Sequence, residues 1–502
     1  MSEISLSKTQ FIRGLQCHKS LWLLKDGTIK PKAPSDSQQT IFDEGARVGE
    51  EAQKLFPGGK EIKFKGSTFD ERIELTKKYI SSGVSTIYEA TFKFDDILVM
   101  VDILHQGGNG WEIYEVKSAS DVYRKKKAGG VKSVFLNDLA IQYYVLKGRG
   151  LDILSASLIH INSKYVRDGA LEIDQLFSTA DLTASVVDIQ DDVCEELRRM
   201  RETLNGDEPD IGIGDQCDKP YKCDFKTHCW PDGILNGYSV FNVSGLTITK
   251  KFELYETGII EVRDIPNDFI LSGNQRVQVE IEKSGRKVVD KMEIENFLRQ
   301  LSYPLYFFDF ETFQQAIPEW DGISPYQQIP FQYSIHYIEE AGGELSHIEF
   351  LAKEGSDPRK NLTEKLVQDI PKGVCVLAYN SGFEKSVIQK LAELFPEYSE
   401  HLMDIHKNVL DLMLPFQKKH YYTREMQGSH SIKKILPALV PDSSYDGMEI
   451  ADGRQASSRY VELSFVDCSN ERERIKGDLL RYCKQDTQSM VDVLECLKKV
   501  AI

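Results

Sequence analysis

The sequence predicts a multidomain α/β protein, and three observations lead there. At 502 residues the chain exceeds what one hydrophobic core organises, which implies about two to four domains. Its 41% hydrophobic and 28% charged residues are those of a globular protein rather than a disordered or membrane one. β-rich runs bounded by glycine turns occur beside stretches of helical spacing.

The opening residues MSEISLSKTQ lack the apolar core of a signal peptide, and no run approaches the roughly 18 apolar residues of a membrane span. The expectation is a cytoplasmic chain without a membrane partner. A formal charge of -16 argues against generic polyanion binding. Phosphate contacts, however, depend on local patches, and two stand out. One is YRKKKAGGVK at 123–132. The other, FQKKHYYTREMQGSHSIKK at 416–434, interleaves Lys418, Lys419, Arg424, Lys433 and Lys434 with Tyr421 and Tyr422, as a groove tracking a nucleic-acid strand would. A solvated loop has the same composition.

Residues 97–118, ILVMVDILHQGGNGWEIYEVKS, place two β-rich runs around Gly-Gly-Asn-Gly, a hairpin signal. A turn centred between Gly108 and Asn109 sets Asp102 opposite Glu115, with Cβ atoms about 4.5–5.5 Å apart, and puts Lys117 on the face of Glu115. Two carboxylates and a lysine on one face can hold a divalent metal and orient a water against a phosphodiester. The flanking Val101, Ile103, Tyr114 and Val116 point to the other face, which leaves the acidic face open to a cleft. A surface charge cluster would have the same spacing.

The nine cysteines of the chain point away from disulfides in a reducing compartment. Cys217, Cys223 and Cys229 are spaced C-x5-C-x5-C, which reads as a metal or cluster site that needs a fourth ligand. Two candidates are His228, which would make a local zinc knuckle, and Cys17, far upstream.

Asp102, the EVK of residues 115–117, Gln142 in AIQYYVL, and one early cysteine followed by a late trio together resemble the RecB-type PD-(D/E)XK nucleases that carry an iron-sulfur cluster. The resemblance covers roughly residues 5–235 and implies a restriction-endonuclease-like core. It further implies that Cys17, Cys217, Cys223 and Cys229 hold a [4Fe-4S] cluster stapling the domain's start to its end. Many relatives carry a metal-binding histidine four residues after a glycine in an early helix. Here Gly45 is followed by Gly49, with Glu50 as a possible replacement.

Residues 236–300 carry no catalytic cluster. LYETGIIEVRDIP suggests a short helix, a glycine turn and a second short element, and Ile294, Phe297 and Leu298 have helical spacing. A small helical linker region is expected, of a kind that can grip a backbone through main-chain amides. The domain boundaries predicted are therefore 1–235, 236–300 and 301–502.

In PLYFFDFETF (304–313), residues 307, 309 and 311 share one strand face and Tyr306, Phe308 and Phe310 the other. Asp309 and Glu311 thus project together from an apolar strand and require counter-charge. VCVLAYNSGFEKSVIQKLAELF predicts a strand at 374–379, a turn at Asn380-Ser381-Gly382 and a helix with Glu384 in its first turn. Near the end, LLRYCKQDTQSMVDVLECL is helical, with Tyr482 and Asp486 one turn apart on one face.

That order of residues resembles the DnaQ-like DEDD exonucleases of RNase H-like fold, in their tyrosine branch, over residues 303–500. The resemblance implies a mixed-sheet domain in which Asp309 bridges two magnesium or manganese ions and Glu311, Glu384 and Asp486 complete their shells. Tyr482 would position the attacking water. Glu384 stands where the family usually has Asp, and Asp411 resembles a structural Asp that follows that motif and could substitute. The whole chain looks similar to uncharacterised bacterial proteins that fuse these two nuclease types. The function implied is metal-dependent hydrolysis of nucleic acid, DNA before RNA, by a 3'-5' exonuclease site and a RecB-like site. The alternatives are a nucleic-acid-binding scaffold with one or both sites inactive, and an RNA-processing exonuclease.

Overall fold

A computed structural model describes residues 5–33, 35–123, 130–441 and 443–501. The chain is mixed α/β and forms two compact units. Unit one comprises Met1–Trp230 and Gln315–Gln327, and unit two comprises Pro231–Gln314 and Gln328–Ile502. Residues 236–300 therefore group with the C-terminal unit, because their apolar side chains join its cores. Residues 124–129 of the first basic patch lie outside the described residues.

Unit one is built on a seven-stranded sheet. Its long strands are β1 (Thr86–Phe94), β2 (Ile97–Gly107), β3 (Gly110–Lys117), β4 (Ile153–Ile161) and β5 (Phe177–Asp181), in that spatial order. Lys60–Glu61 extends the β1 edge, and Leu6–Ser7 runs parallel to the start of β2. The β2–β3 hairpin has the expected register, Ile103 against Tyr114 and Gly107 against Gly110. Its turn is supplied by Gly108 at φ 52°, a left-handed conformation that glycine adopts without a Cβ penalty. Helices α1 (Lys8–Gln16), α2 (His18–Asp26), α3 (Ser133–Gly148) and α4 (Gln190–Asn205) belong to the same unit. Ser7 and Gln10 form a capping box at the start of α1. Leu139 and Val145 from α3 and Leu197 and Met200 from α4 share a core with Val99, Val101 and Ile113 of the sheet.

Unit two is a five-stranded mixed sheet between helical layers. β6 (Leu305–Phe313) is central. On one side it pairs antiparallel with β7 (Ile329–Ile338), which pairs antiparallel with β8 (Leu345–Leu351). On the other side it pairs parallel with β9 (Cys375–Ala378), followed by β10 (Val409–Asp411), also parallel. The alternation in β6 sorts its side chains as expected. Tyr306, Phe308 and Phe310 pack with Val387, Ile388 and Leu391 of helix α5 (Gly382–Leu394). Leu305 and Phe307 pack on the opposite face with Ile435 and Leu436 of α6 (Ile432–Leu439) and with Met490, Val493 and Leu494 of α7 (Ser469–Ala501).

The 236–300 region forms helices Ile248–Glu256, Gly273–Ser284 and Lys291–Leu298 around a core that includes Val243, Leu254, Val262 and Val279. Gly258, at φ 83°, makes the expected turn before a short 3-10 segment at Val262–Asp264. Ile294 and Phe297 insert into the sheet-helix core of unit two, and Val288–Val289 pairs with Tyr421–Tyr422. Among the described residues, no helix is long and apolar enough to cross a membrane.

Candidate functional sites

In unit two, β6 projects Asp309 and Glu311 toward α7, and α7 returns Asp486. One carboxylate oxygen from each lies within 4.8 Å of the others. Among the described residues this is the group of three or more possible ligands that meets that spacing. Glu311 and Asp486 are buried and Asp309 is half-buried. Burial first, then the neighbouring Asp486 and Glu311, hold the Asp309 carboxyl well above the usual carboxylate range. Burial and Asp486 do the same to Glu311. Asp486 is pushed up to about 6 by burial, against the opposing effect of a hydrogen bond from Tyr445. Three converging carboxyls with raised proton affinity must take up protons or a cation.

Two neighbours join the cluster that the sequence reading did not assign to it. The Tyr445 hydroxyl donates to Asp486 Oδ1 at 2.6 Å. Lys433 Nζ donates to the Tyr482 hydroxyl at 3.0 Å and lies over the rings of Tyr445 and Tyr482, 5.2 and 5.0 Å from their centroids. Its charge opposes the upward shift of both Glu311 and Asp486. Among the described residues Lys433 makes no ion pair within 4.0 Å, so no cation is salt-bridged to the cluster. Tyr482 is buried at the cluster, and its phenol is held far above its ordinary value by burial and then by Asp486.

Glu384 stands in the first turn of α5, 2% exposed, and its buried Oε2 has no hydrogen-bond partner. Burial pushes its carboxyl up to about 8. It is outside the group of three, yet its charge raises both Asp309 and Glu311. Asp411 is committed to the turn before α5. It accepts from the amides of Asn380 (3.0 Å), Ser381 (3.2 Å) and Met413 (2.9 Å), which leaves it a structural part rather than a substitute ligand. The turn needs that anchor because Asn380 is at φ 68°.

In unit one, Asp102, Glu115, Lys117 and Gln142 do come together, with Lys8, Glu89 and Asp138, which the sequence reading did not select. Glu115 accepts from Lys8 Nζ at 2.7 and 2.8 Å, from Lys117 Nζ at 2.7 Å and from Gln142 Nε2 at 2.7 Å. Lys117 also pairs with Asp138. Although burial favours its protonated form, Lys117 and Lys8 hold Glu115 well below the usual carboxylate range. Asp102 accepts from the Val116 amide at 2.7 Å, and burial with Glu115 nearby pushes it up to about 8. The paired ladder ends at Ile103–Tyr114, short of Asp102 and Glu115, because Asp102 takes an amide that a strand pair would use. The expected open acidic face is corrected here. Glu115 is 2% exposed, because α1 brings Lys8 and α3 brings Asp138 and Gln142 over it. Glu50 is exposed on its helix.

Cys17, Cys217, Cys223 and Cys229 line one small cavity. Polar stitches bring the late trio to the early cysteine. Gln16 donates to the carbonyls of Gln216 and Tyr221, both at 2.7 Å, and Arg13 pairs with Asp224 at 2.6 Å. Burial raises the thiols of Cys17 and Cys229, the latter to about 11. His228 is exposed and pairs with Glu208 at 2.9 Å, so of the two candidate fourth ligands Cys17 is the one that faces the trio.

The second basic patch does not form the expected aromatic groove. Tyr421 and Tyr422 are 6% and 1% exposed and belong to the core, so they offer no face to a base. Arg424 pairs with Glu282 at 2.8 Å, Lys419 is buried, and Lys418 and Lys434 remain exposed.

A family described as a domain of unknown function (DUF2779) matches residues 306–431, a stretch that holds Asp309, Glu311 and Glu384. Among curated proteins the chain is similar to the "Uncharacterized protein MG366 homolog" of Mycoplasma pneumoniae (strain ATCC 29342 / M129 / Subtype 1). The two are 23% identical over 231 residues, 42% of this chain and 34% of that protein. The match thus spans about a third of the relative's length.

Proposed function

We propose that the protein is a metal-dependent nuclease whose principal active site is the Asp309–Glu311–Asp486 cluster, working as a 3'-5' exonuclease on an RNase H-like fold. The observation that carries this reading is three mutually close carboxylates without a paired cation among the described residues. Asp309, Glu311 and Asp486 would hold magnesium or manganese, and the unpartnered Glu384 oxygen supplies a further donor nearby. When bound, such ions activate a water and neutralise charge on the phosphate. Tyr482, buried beside the cluster and fixed by Lys433, is placed to orient that water. The strand alternation, the central position of β6 and the return of α7 support the DnaQ-like assignment of residues 301–502.

For unit one the proposal is a RecB-like PD-(D/E)XK domain over residues 1–235, with the four cysteines holding a [4Fe-4S] cluster. Its support is the convergence of Asp102, Glu115, Lys117 and Gln142 and the shared cavity of the four thiols. A single zinc ion, with Zn–S bonds of about 2.3 Å, would need thiols closer than about 4 Å. No three of these thiols lie within 4.8 Å of one another, which favours the larger cluster. A second reading has its own observation: Lys8 occupies both oxygens of Glu115, as it would in a unit that binds a strand without cutting it. DNA is the expected substrate before RNA.

The test is digestion of 3'- and 5'-end-labelled single- and double-stranded DNA with magnesium, using anaerobically purified wild type beside Asp309→Ala. Stepwise loss from the 3' end that vanishes in the variant is the expected result. Cutting that survives in Asp309→Ala moves the chemistry to Glu115 and Lys117, and intact DNA and RNA throughout would overturn the reading.

A further inference from the structure

Unit two contains a cleft of about 550 Å³ that the carboxylate chemistry does not use. One wall is Asn242–Gly245 with Lys251, from the region expected to be a linker, and the other is Gln427–Ile432, the end of the second basic patch. The volume falls within the roughly 300–1,000 Å³ of pockets that enclose small ligands.

The walls are built to stay in place. Gln278, fully buried, accepts from the Ser244 amide at 3.0 Å and donates to the Asn242 carbonyl at 3.1 Å and to Tyr238 at 2.7 Å. Gly428 seats the opposite wall against it. At φ 79°, a Cβ at this position would come within 2.4 Å of the Asn242 carbonyl and 2.3 Å of Gln278 Nε2, so glycine is required. The Tyr379 hydroxyl donates to the His430 carbonyl at 2.7 Å and ties this wall to the end of β9.

The chemistry of the lining selects an anion. In a chain with 78 Asp and Glu residues, no lining residue is acidic. The polar groups are hydroxyls, amides, the His430 ring and the Lys251 ammonium, which spends one of its three donors on the Phe241 carbonyl at 2.7 Å. A second cation stands behind the wall. Lys419 is 5% exposed and makes a 3.4 Å contact with the Gly428 carbonyl and a cation–π contact with Tyr422, and no carboxylate lies within ion-pair distance of it among the described residues. Burial without a counter-ion lowers this ammonium to about 8, which leaves it charged at neutral pH and adding positive potential to the cleft.

Two lining residues adjoin the carboxylate site along the chain. Asn380 precedes the helix that bears Glu384, and Ile432 adjoins Lys433, which holds Tyr482. We infer that this cleft is a binding site for the sugar-phosphate backbone of a single nucleic-acid strand, with residues 242–251 and 427–432 as its two walls. The inference rests on the nuclease reading above and assigns the helical region a part in substrate binding. The hydroxyls, amides and Lys251 ammonium suit contacts to the backbone, independent of sequence, and the Tyr379 and His430 rings of the lining are half-buried.

The test uses the full chain in an Asp309→Ala background, so that the strand survives, and reads anisotropy of a fluorescein-labelled oligothymidylate across a salt series. Lys251→Met is expected to weaken binding about tenfold and to lower the salt slope by about one, as loss of a phosphate contact does. Ser244→Glu, which leaves the Lys251 hydrogen bond intact, is expected to weaken binding at least as much. If the wild type digests strands but both variants bind like their parent with unchanged slope, the cleft assignment is overturned and the nuclease reading stands. If the parent binds no strand and the wild type digests none, the nuclease reading falls and the cleft assignment with it.

Discussion

The two acidic sites use the same kinds of side chain, yet the carboxylate at the centre of each reaches the opposite electrostatic state. In unit one Glu115 lies between Lys8 and Lys117 and is held ionised. In unit two Asp309, Glu311 and Asp486 face one another with Lys433 outside ion-pair range, and all three are raised. The difference teaches that proximity of carboxylates is not by itself a metal signal, because internal lysines can neutralise them. What marks the C-terminal cluster is the missing charge.

Breaking each site should expose that contrast most strongly. Asp309→Ala is expected to lower 3'-end digestion by a factor of about 10³ or more, the scale on which electrostatic stabilisation acts in catalysis. Glu115→Gln should instead act on stability, because it leaves Lys8 and Lys117 buried with less compensation. A loss of about 3–5 kcal/mol is the scale for breaking a buried pair, measured by denaturant unfolding.

Tyr482→Phe should reduce kcat by about 10²-fold with little change in KM, the range for one positioning or proton-handling group, measured in steady state.

The pH dependence sharpens the comparison, because Glu115 and the unit-two carboxyls carry opposite signs. Asp486 and Glu384 have folded values raised to about 6 and about 8, so their contributions are full below their unfolded values near 4 and are lost as pH rises through 6 and 8. Metal-free unit two should therefore loosen between about pH 4 and 8, and magnesium should reverse this. Glu115, lowered, contributes above its unfolded value near 4.5 and loses that contribution as pH falls below it. Hydrogen exchange resolved on peptides from 305–313 and 110–117 reads the two trends separately. The smallest effect on digestion is expected from Cys17→Ser, which should remove visible iron-sulfur absorbance while 3'-end digestion by unit two persists.

What could be read in the sequence was what short-range periodicity encodes. The alternation of β6 gave the shared face of Asp309 and Glu311, the Gly-Gly-Asn-Gly turn gave the hairpin register, and helical spacing put Tyr482 beside Asp486. Lys8, Asp138 and Tyr445 were hidden because they reach their sites from distant segments, with no local pattern to mark them, and Lys433 was read only as part of a basic patch. The interleaved lysines and tyrosines of 416–434 misled for a related reason: composition does not say which face is inside, and Tyr421 and Tyr422 went to the core.

The most direct test of the central claim is manganese binding at neutral pH by the full-length protein, followed by electron paramagnetic resonance beside proton release into a weak buffer. Bound manganese that is lost in Asp309→Asn and retained in Glu115→Gln, with protons released on binding because the cluster holds them in the metal-free state, is the expected result. Manganese retained unchanged in Asp309→Asn, or not bound by the wild type at all, would contradict the account.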